Sequence, residues 1–344
     1  AARKETDDSI TLGLARVKRR RLLAGGARGE QRDRDARPEG AASTHMVRRV
    51  LVTGGNRGIG LAIVHRCLSD HGDTHVVLAC RSASRGEDAV AALITERPDW
   101  KARLTVLEID TSSDGSVRAA AATLEGSCGN PALYAIVNNA GIASGTVAEI
   151  LNVNVRGPKR VDDAFGPLLD PLEGRVVQIS SGAASGCVSR SSPDMAAFFT
   201  NASVSWREIS GLLEAVEANP DLEAHGIGAA MGAYGLSKAL LNAYAMALAR
   251  ERPELKVNAC SPGMVATDIM GSFLPWWVPL PNAAVRFLAT KLAGAKTPDE
   301  GTVSALHLLF SEELEGNGRY YGSDAKRSPL DRYRSPGSPP YAGP

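Results

Sequence analysis

The chain of 344 residues carries a formal net charge of +1 at pH 7, with 22% charged and 44% hydrophobic residues. A balance so close to neutral gives no footing for a nucleic-acid partner, and no run of 18 apolar residues offers a membrane span. Cys67, Cys80, Cys128, Cys187 and Cys260, with no C-x-x-C and no histidine at metal-ligating spacing, read as reduced thiols of an intracellular protein and give no metal site.

Residues 1–46 are polar and charged without a sustained period, as in Arg19-Arg20-Arg21 and Arg32-Asp33-Arg34-Asp35, a composition expected to stay disordered. A transit peptide should be poor in acids, whereas seven Asp and Glu precede residue 46. Met46, directly before the first strand, favours an extension from the expression design or the gene prediction, and a basic interaction arm is the third reading. The expected compartment is the cytoplasm, with organelle import by residues 1–45 as the lesser alternative.

The β-branched run 47–52 feeds Thr53-Gly54-Gly55-Asn56-Arg57-Gly58-Ile59-Gly60, after which 61–68 reads as an amphipathic helix. Strand, glycine turn, helix is an arrangement that holds a dinucleotide. Gly54 permits a sharp exit from the strand, Gly58 lets the backbone approach a pyrophosphate, and Gly60 lets the helix pack on the sheet, its free N–H groups facing the anion. A second strand, 75–79, ends in Cys80-Arg81-Ser82, where a sheet that binds NAD carries a carboxylate. With no acid there, Arg81 and Arg57 can pair with a 2′-phosphate, so the expected cofactor is NADP(H).

Strands 104–109, 133–137 and 175–179 follow, the last a near-continuous apolar run suited to the middle of a parallel sheet and ending in Ser180-Ser181-Gly182. Helix 233–250 then lifts Tyr234 and Lys238, four residues apart, from one face. A phenol has a reference pKa of about 10. An ammonium about 4 Å away favours the phenolate by roughly 4 kcal/mol at an effective dielectric near 20, while desolvation opposes it. The expectation is a phenol brought close to working pH and used as a proton donor. Such pairs also arise by chance on solvated helices, so the motifs upstream carry the weight. Alternation of strand and helix over 47–321 predicts an α/β fold: one domain, a Rossmann-type doubly wound parallel sheet of about seven strands with helices on both faces. Its expected limits are 47–325, with 326–344, rich in Pro and Gly, as a flexible tail.

Thr53-Gly54-x-x-x-Gly58-x-Gly60, Asn138-Asn139-Ala140-Gly141, Ser181, Tyr234-x-x-x-Lys238 and Pro262-Gly263-x-Val265-x-Thr267-Asp268 occur in the order and separation of the short-chain dehydrogenase/reductases, which the chain resembles over 47–321. The resemblance implies a catalytic set of Asn154, Ser181, Tyr234 and Lys238. Ser181 would hold the substrate carbonyl oxygen, with Ser180 as runner-up. Asn154 would anchor a water chain to the lysine, Asn152 being two residues off, and Lys238 would also bind the nicotinamide ribose. Implied cofactor contacts come from Gly54, Asn56, Arg57, Gly58, Ile59 and Gly60 in the turn, from Arg81, and from Asp110 at the adenine ring. Asn138, Ala140 and Gly141 would lie beneath the adenine ribose, and Pro262, Gly263, Val265 and Thr267 near the nicotinamide, Tyr234 and Lys238 being shared with the catalytic set.

Between Ser181 and Tyr234 lie 52 residues, far more than this family needs there. Phe198, Phe199, Trp206, Ile209, Leu212, Leu213 and Val216 recur at helical spacing and predict at least one amphipathic helix in an insertion over 182–232. It resembles that of the monomeric NADPH-dependent carbonyl reductases, where it covers the face other members use to assemble, so a monomer is expected; a family-neutral elaboration is the alternative. Segment 269–297, with Phe273, Trp276 and Trp277 broken by prolines, is the expected substrate lid and implies a bulky, apolar carbonyl substrate; a membrane-surface contact competes. The expected function is NADPH-dependent reduction of a ketone, aldehyde or quinone. An NADP-linked alcohol dehydrogenase running oxidatively, and a non-catalytic NADP sensor on the same fold, are the alternatives.

Overall fold

Runs apolar at consecutive positions are at home only where both faces are buried, and such runs form a seven-stranded sheet in the computed structural model, which describes residues 47–128, 132–269, 285, 290–291, 294–314 and 316–343. The strands are β1 (Arg48–Thr53), β2 (Thr74–Cys80), β3 (Leu104–Glu108), β4 (Ala135–Asn138), β5 (Arg175–Ile179), β6 (Lys256–Cys260) and β7 (Tyr320–Tyr321). They lie in the order β3-β2-β1-β4-β5-β6-β7 with every neighbouring pair parallel. The expected α/β doubly wound sheet is the observed one. The strand order reverses between β1 and β4, which opens a crevice beyond their carboxyl ends.

Helices with described bounds include α1 (Gly58–Asp70), α2 (Ala83–Glu96), α3 (Asp114–Cys128), α4 (Val147–Leu151), α5 (Gly157–Phe165), α6 (Gly182–Val188), α7 (Pro193–Thr200), α8 (Trp206–Ala218), α9 (Gly232–Glu251) and α10 (Val303–Phe310). Successive strand residues divide between two cores, as the two-residue period of a strand requires. Leu51, Val77, Ile136, Val176 and Val257 join residues of α3, α5 and α9, whereas Val50, Val52, Val76, Leu78 and Val177 join α1, α2 and α10.

Helix α9 extends the expected 233–250 by one residue at each end and is buried at nearly every position from Gly235 to Ala249. It is enclosed because the insertion supplies three helices rather than the one the spacing guaranteed. Of these, α8 opens with a capping box from Ser205 and Glu208 and buries Ile209, Leu213 and Val216. Trp206 meets Tyr244 of α9 edge-on at 5.4 Å, and Glu217 is ion-paired with Arg156 just ahead of α5.

The segment expected to be a flexible tail follows a defined course. Ser328 N–H donates to the Tyr320 carbonyl (2.8 Å) and Tyr341 N–H to that of Arg327 (3.1 Å), while Arg334 is ion-paired with Asp324. Single anchors hold it, so its composition shows no period. Residues 1–46, and Phe273, Trp276 and Trp277 of the expected lid, lie outside the described residues.

Candidate active site

The glycine turn forms one end of a cleft of about 2210 Å³ at the carboxyl edge of the sheet. Gly58 sits at φ +55°, where an L side chain is strained. A Cβ on Gly60 would fall 2.2 Å from the Gly54 carbonyl oxygen and 2.4 Å from Nδ2 of Asn139, so only glycine lets α1 begin this close to the sheet. Thr53 Oγ1 accepts from the N–H groups of Asn139 (3.0 Å) and Ala140 (3.1 Å), and the Asn139 amide donates back to the carbonyls of Thr53 (2.9 Å) and Gly54 (3.2 Å). Two motifs far apart in sequence are therefore one hydrogen-bonded unit.

No side chain caps α1, and its first turn holds no acid, so its leading N–H groups are left for an anion. Asn56, Arg57, Gly58, Ile59 and Gly60 line the cleft with Arg81, Ser82 and Arg85 from the β2–α2 junction. Burial pushes the Asp110 carboxyl up, but the Ser112 hydroxyl (2.7 Å) and N–H (3.0 Å) and the charges of Arg81 and Arg160 outweigh it and hold the group below its usual range. Uncapped N–H groups, a glycine cradle and basic side chains where a carboxylate is lacking fit a dinucleotide bearing a 2′-phosphate. Arg57 is meanwhile engaged by Asp268 at 3.6 Å.

At the centre of the cleft Ser181, Tyr234 and Lys238 come together from the end of β5 and the start of α9. Ser181 caps α6 through the Ala183 N–H (3.2 Å) and is hydrogen-bonded to the Tyr234 phenol. Ser180, the runner-up, is buried and spends its hydroxyl on the Lys238 carbonyl (3.3 Å). The Lys238 ammonium lies 5.7 Å from the Tyr234 ring centroid and donates to the Ile179 carbonyl at 2.8 Å. The electrostatics differ from expectation here. Burial raises the phenol above its ordinary value, only the Ser181 bond opposing, and pushes the lysine down to about 8. Desolvation prevails over the Ser181 bond, and the Lys238 ammonium is engaged by the Ile179 main chain.

Asn154 occupies a π-helical turn, Asn152–Arg156, a form that recurs at functional sites. Its side chain donates to the Ile142 carbonyl (2.8 Å) and Ser237 hydroxyl (3.0 Å) and accepts from Ile142 N–H (2.9 Å). It adjoins Lys238 across Gly141, where an added Cβ would meet Asn154 Oδ1 at 3.2 Å and Lys238 Nζ at 3.6 Å. Ala140, Gly141, Pro262, Gly263, Val265 and Thr267 all line the cleft.

Asn138 is the correction. It is 3% exposed, does not line the cleft, and donates to Asp162 at 2.7 Å beside Gln178, which does the same at 2.7 Å. Burial pushes that carboxyl up to about 7, against the hydrogen bonds from Asn138 and Gln178. Asn138, the last residue of β4, shares the face of Ile136 and looks into the core with α5, while Asn139, Ala140 and Gly141 lie past the strand end and line the cleft. Met231, Met264 and Tyr333 also line the cleft and were missed. Met264 stood in a variable position of a recognised motif and could have been placed; the other two gave no signal.

The sheet and its cleft define a nucleotide-binding α/β protein. Residues 48–193 match the family described as short chain dehydrogenase. The sequence is 33% identical over 297 residues to carbonyl reductase (NADPH) 1 of Rattus norvegicus, covering 81% of this chain and 97% of that protein. It is 30% identical over 254 residues to (+)-neomenthol dehydrogenase of Arabidopsis thaliana, covering 64% and 84%. Salutaridine reductase from Papaver somniferum matches in fold with a TM-score of 0.65 at 24% identity, over 80% of this chain and 99% of that one. The chain belongs to the short-chain dehydrogenase/reductase family.

Proposed function

We propose that the protein reduces the carbonyl group of a ketone, aldehyde or quinone to the alcohol with NADPH, Tyr234 giving the proton. The observation that carries this reading is the convergence of Ser181, Tyr234 and Lys238 in the cleft that the glycine turn opens. The name of the rat relative supports the cofactor and the reaction class. When bound, NADPH supplies the hydride.

The turn from Gly54 to Gly60 would hold the pyrophosphate, Arg81 with Arg57 the 2′-phosphate, Asp110 the adenine, and the Ala140-Gly141 main chain the ribose. Thr267 and the Pro262-Gly263-x-Val265 turn would hold the nicotinamide, and Lys238 its ribose. The hydroxyls of Ser181 and Tyr234 bind the carbonyl oxygen and stabilise the charge that develops on it. Burial keeps the phenol protonated at neutral pH, the form a reduction consumes. Lys238, near 8, stands behind it as the next proton store, and Asn154 holds the loop at Ile142 in place beside that amine.

Exposed Met231 and Met264 at the mouth suit a bulky, apolar substrate. The packing of α8 on α9 supports a monomer with 182–232 as the insertion in its reductase domain, and five thiols without a disulfide suit the cytoplasm. The test is loss of NADPH absorbance against quinones, aryl aldehydes and cyclic ketones. Turnover with at least one class is expected, and none with any class overturns the reading.

A further inference from the structure

Of the six large apolar side chains that are exposed among the described residues, three, Met231, Met264 and Tyr333, line the cleft that holds Ser181 and Tyr234. Scattered apolar exposure is ordinary, but exposure gathered around reactive groups marks a surface that a ligand covers. Tyr333 is the largest of the three and 63% exposed. Its ring rests on Gly182, the residue after Ser181: a Cβ there would meet Tyr333 Cε2 at 3.3 Å and Cδ2 at 3.4 Å. Glycine at 182 thus brings an aromatic ring against the neighbour of the serine that binds the carbonyl oxygen.

The ring is also held in place. Arg334, with only 7% of its side chain exposed, is ion-paired with Asp324 and donates to the Ser338 carbonyl at 2.7 Å, while the second Asp324 oxygen accepts from Gly337 N–H at 3.1 Å. Burial pushes the Asp324 carboxyl up, but Arg334 and the Gly337 bond hold it below its usual range, so the pair stays charged. A ring that rests on Gly182 and is carried on a segment fixed by the neighbouring ion pair has lost part of its conformational freedom before any ligand arrives, which is what makes a contact surface effective.

We propose that Tyr333 is a specificity-determining residue that stacks on the flat, unsaturated body of an aryl ketone or quinone whose carbonyl lies between Ser181 and Tyr234. This rests on the carbonyl-reductase reading above. Full-length parent, Tyr333→Phe, Tyr333→Ala and Arg334→Gln proteins would be compared with NADPH by kcat/KM for menadione and for propanal. One lost aromatic contact predicts about a tenfold fall for menadione in Tyr333→Ala, with propanal and NADPH affinity unchanged. Tyr333→Phe keeps the parent ratio, and Arg334→Gln, with the ring intact but unpinned, shifts it in the same direction as Tyr333→Ala. A menadione-to-propanal ratio that stays at the parent value in Tyr333→Ala overturns the inference, as does a Tyr333→Phe protein as impaired as the alanine variant. A parent that turns over neither compound, nor any other carbonyl, sinks the underlying reading instead.

Discussion

The nucleotide end of the cleft and its mouth are made of different materials. At the nucleotide end the turn is main chain, shaped by Gly54, Gly58 and Gly60 and fixed by the exchange of hydrogen bonds between Thr53 and Asn139, with the side chains of Arg57, Arg81 and Asp110 around it. At the mouth it is side chain, Met231, Met264 and Tyr333, carried on segments outside the sheet. Backbone cannot be retuned one atom at a time, whereas a side chain can be exchanged without moving its neighbours. Changes at the first end should act on the enzyme as a whole, and changes at the second on the choice of substrate.

The sharpest break falls where the two ends meet. Tyr234→Phe should lower kcat by about 10²- to 10⁴-fold and leave NADPH affinity at the parent value; a phenylalanine variant with parental turnover would remove the proton donor from the scheme. Next, Arg81→Ala should raise the KM for NADPH about ten- to a hundredfold, the scale of one charge-assisted bond, without changing that for NADH. Equal effects on both cofactors would show that the arginine does not read the 2′-phosphate.

A pair of opposite exchanges tests the contrast itself. Gly60→Ala, with its Cβ 2.2 Å from a carbonyl oxygen, should cost about 1–3 kcal/mol in denaturant unfolding through overpacking and weaken NADPH binding with it. Met231 sits at φ +59°, so Met231→Gly should be neutral or stabilising by up to about 1 kcal/mol while altering the substrate profile.

An effect visible only through its pH dependence concerns the core beneath the sheet. Asp162 has its folded pKa raised from 3.8 to about 7 by burial. Between those values the native state binds a proton the unfolded chain has released, so its contribution is complete below about 4 and is lost as pH rises through about 7. Asp162→Asn should flatten the decline of the urea midpoint between pH 4 and 7.5, and a parental slope in the variant would clear Asp162 of that role.

What could be read in advance follows the same division. The glycine turn was legible because a backbone path imposes residue identity: at Gly60 nothing with a Cβ fits, so the sequence must say so. Five of the seven strands were legible because a buried parallel strand needs a near-continuous apolar run, as 175–179 has, whereas Lys256–Cys260 is interrupted by Asn258 and Tyr320–Tyr321 is too short to show one. Asn138 was misassigned because it and Asn139 are the same residue type side by side, and only the pleat decides which one sees the cleft. The direction in which the Tyr234 phenol shifts depends on where the Lys238 amine points, which a four-residue spacing does not specify. Tyr333 was illegible because a ring held by one ion pair and one glycine leaves no period in a Pro- and Gly-rich stretch.

The strand order carries a consequence for synthesis. β1 emerges first and ends up inside the sheet; β2 and β3 then extend one flank, and β4 to β7 are added in turn to the other, each laid beside a strand already made. No later segment has to be inserted between two earlier ones. At translation speeds of about 5–20 residues per second, a nascent chain can dock its nucleotide half on the ribosome while the helix bearing the phenol and the amine is still being made.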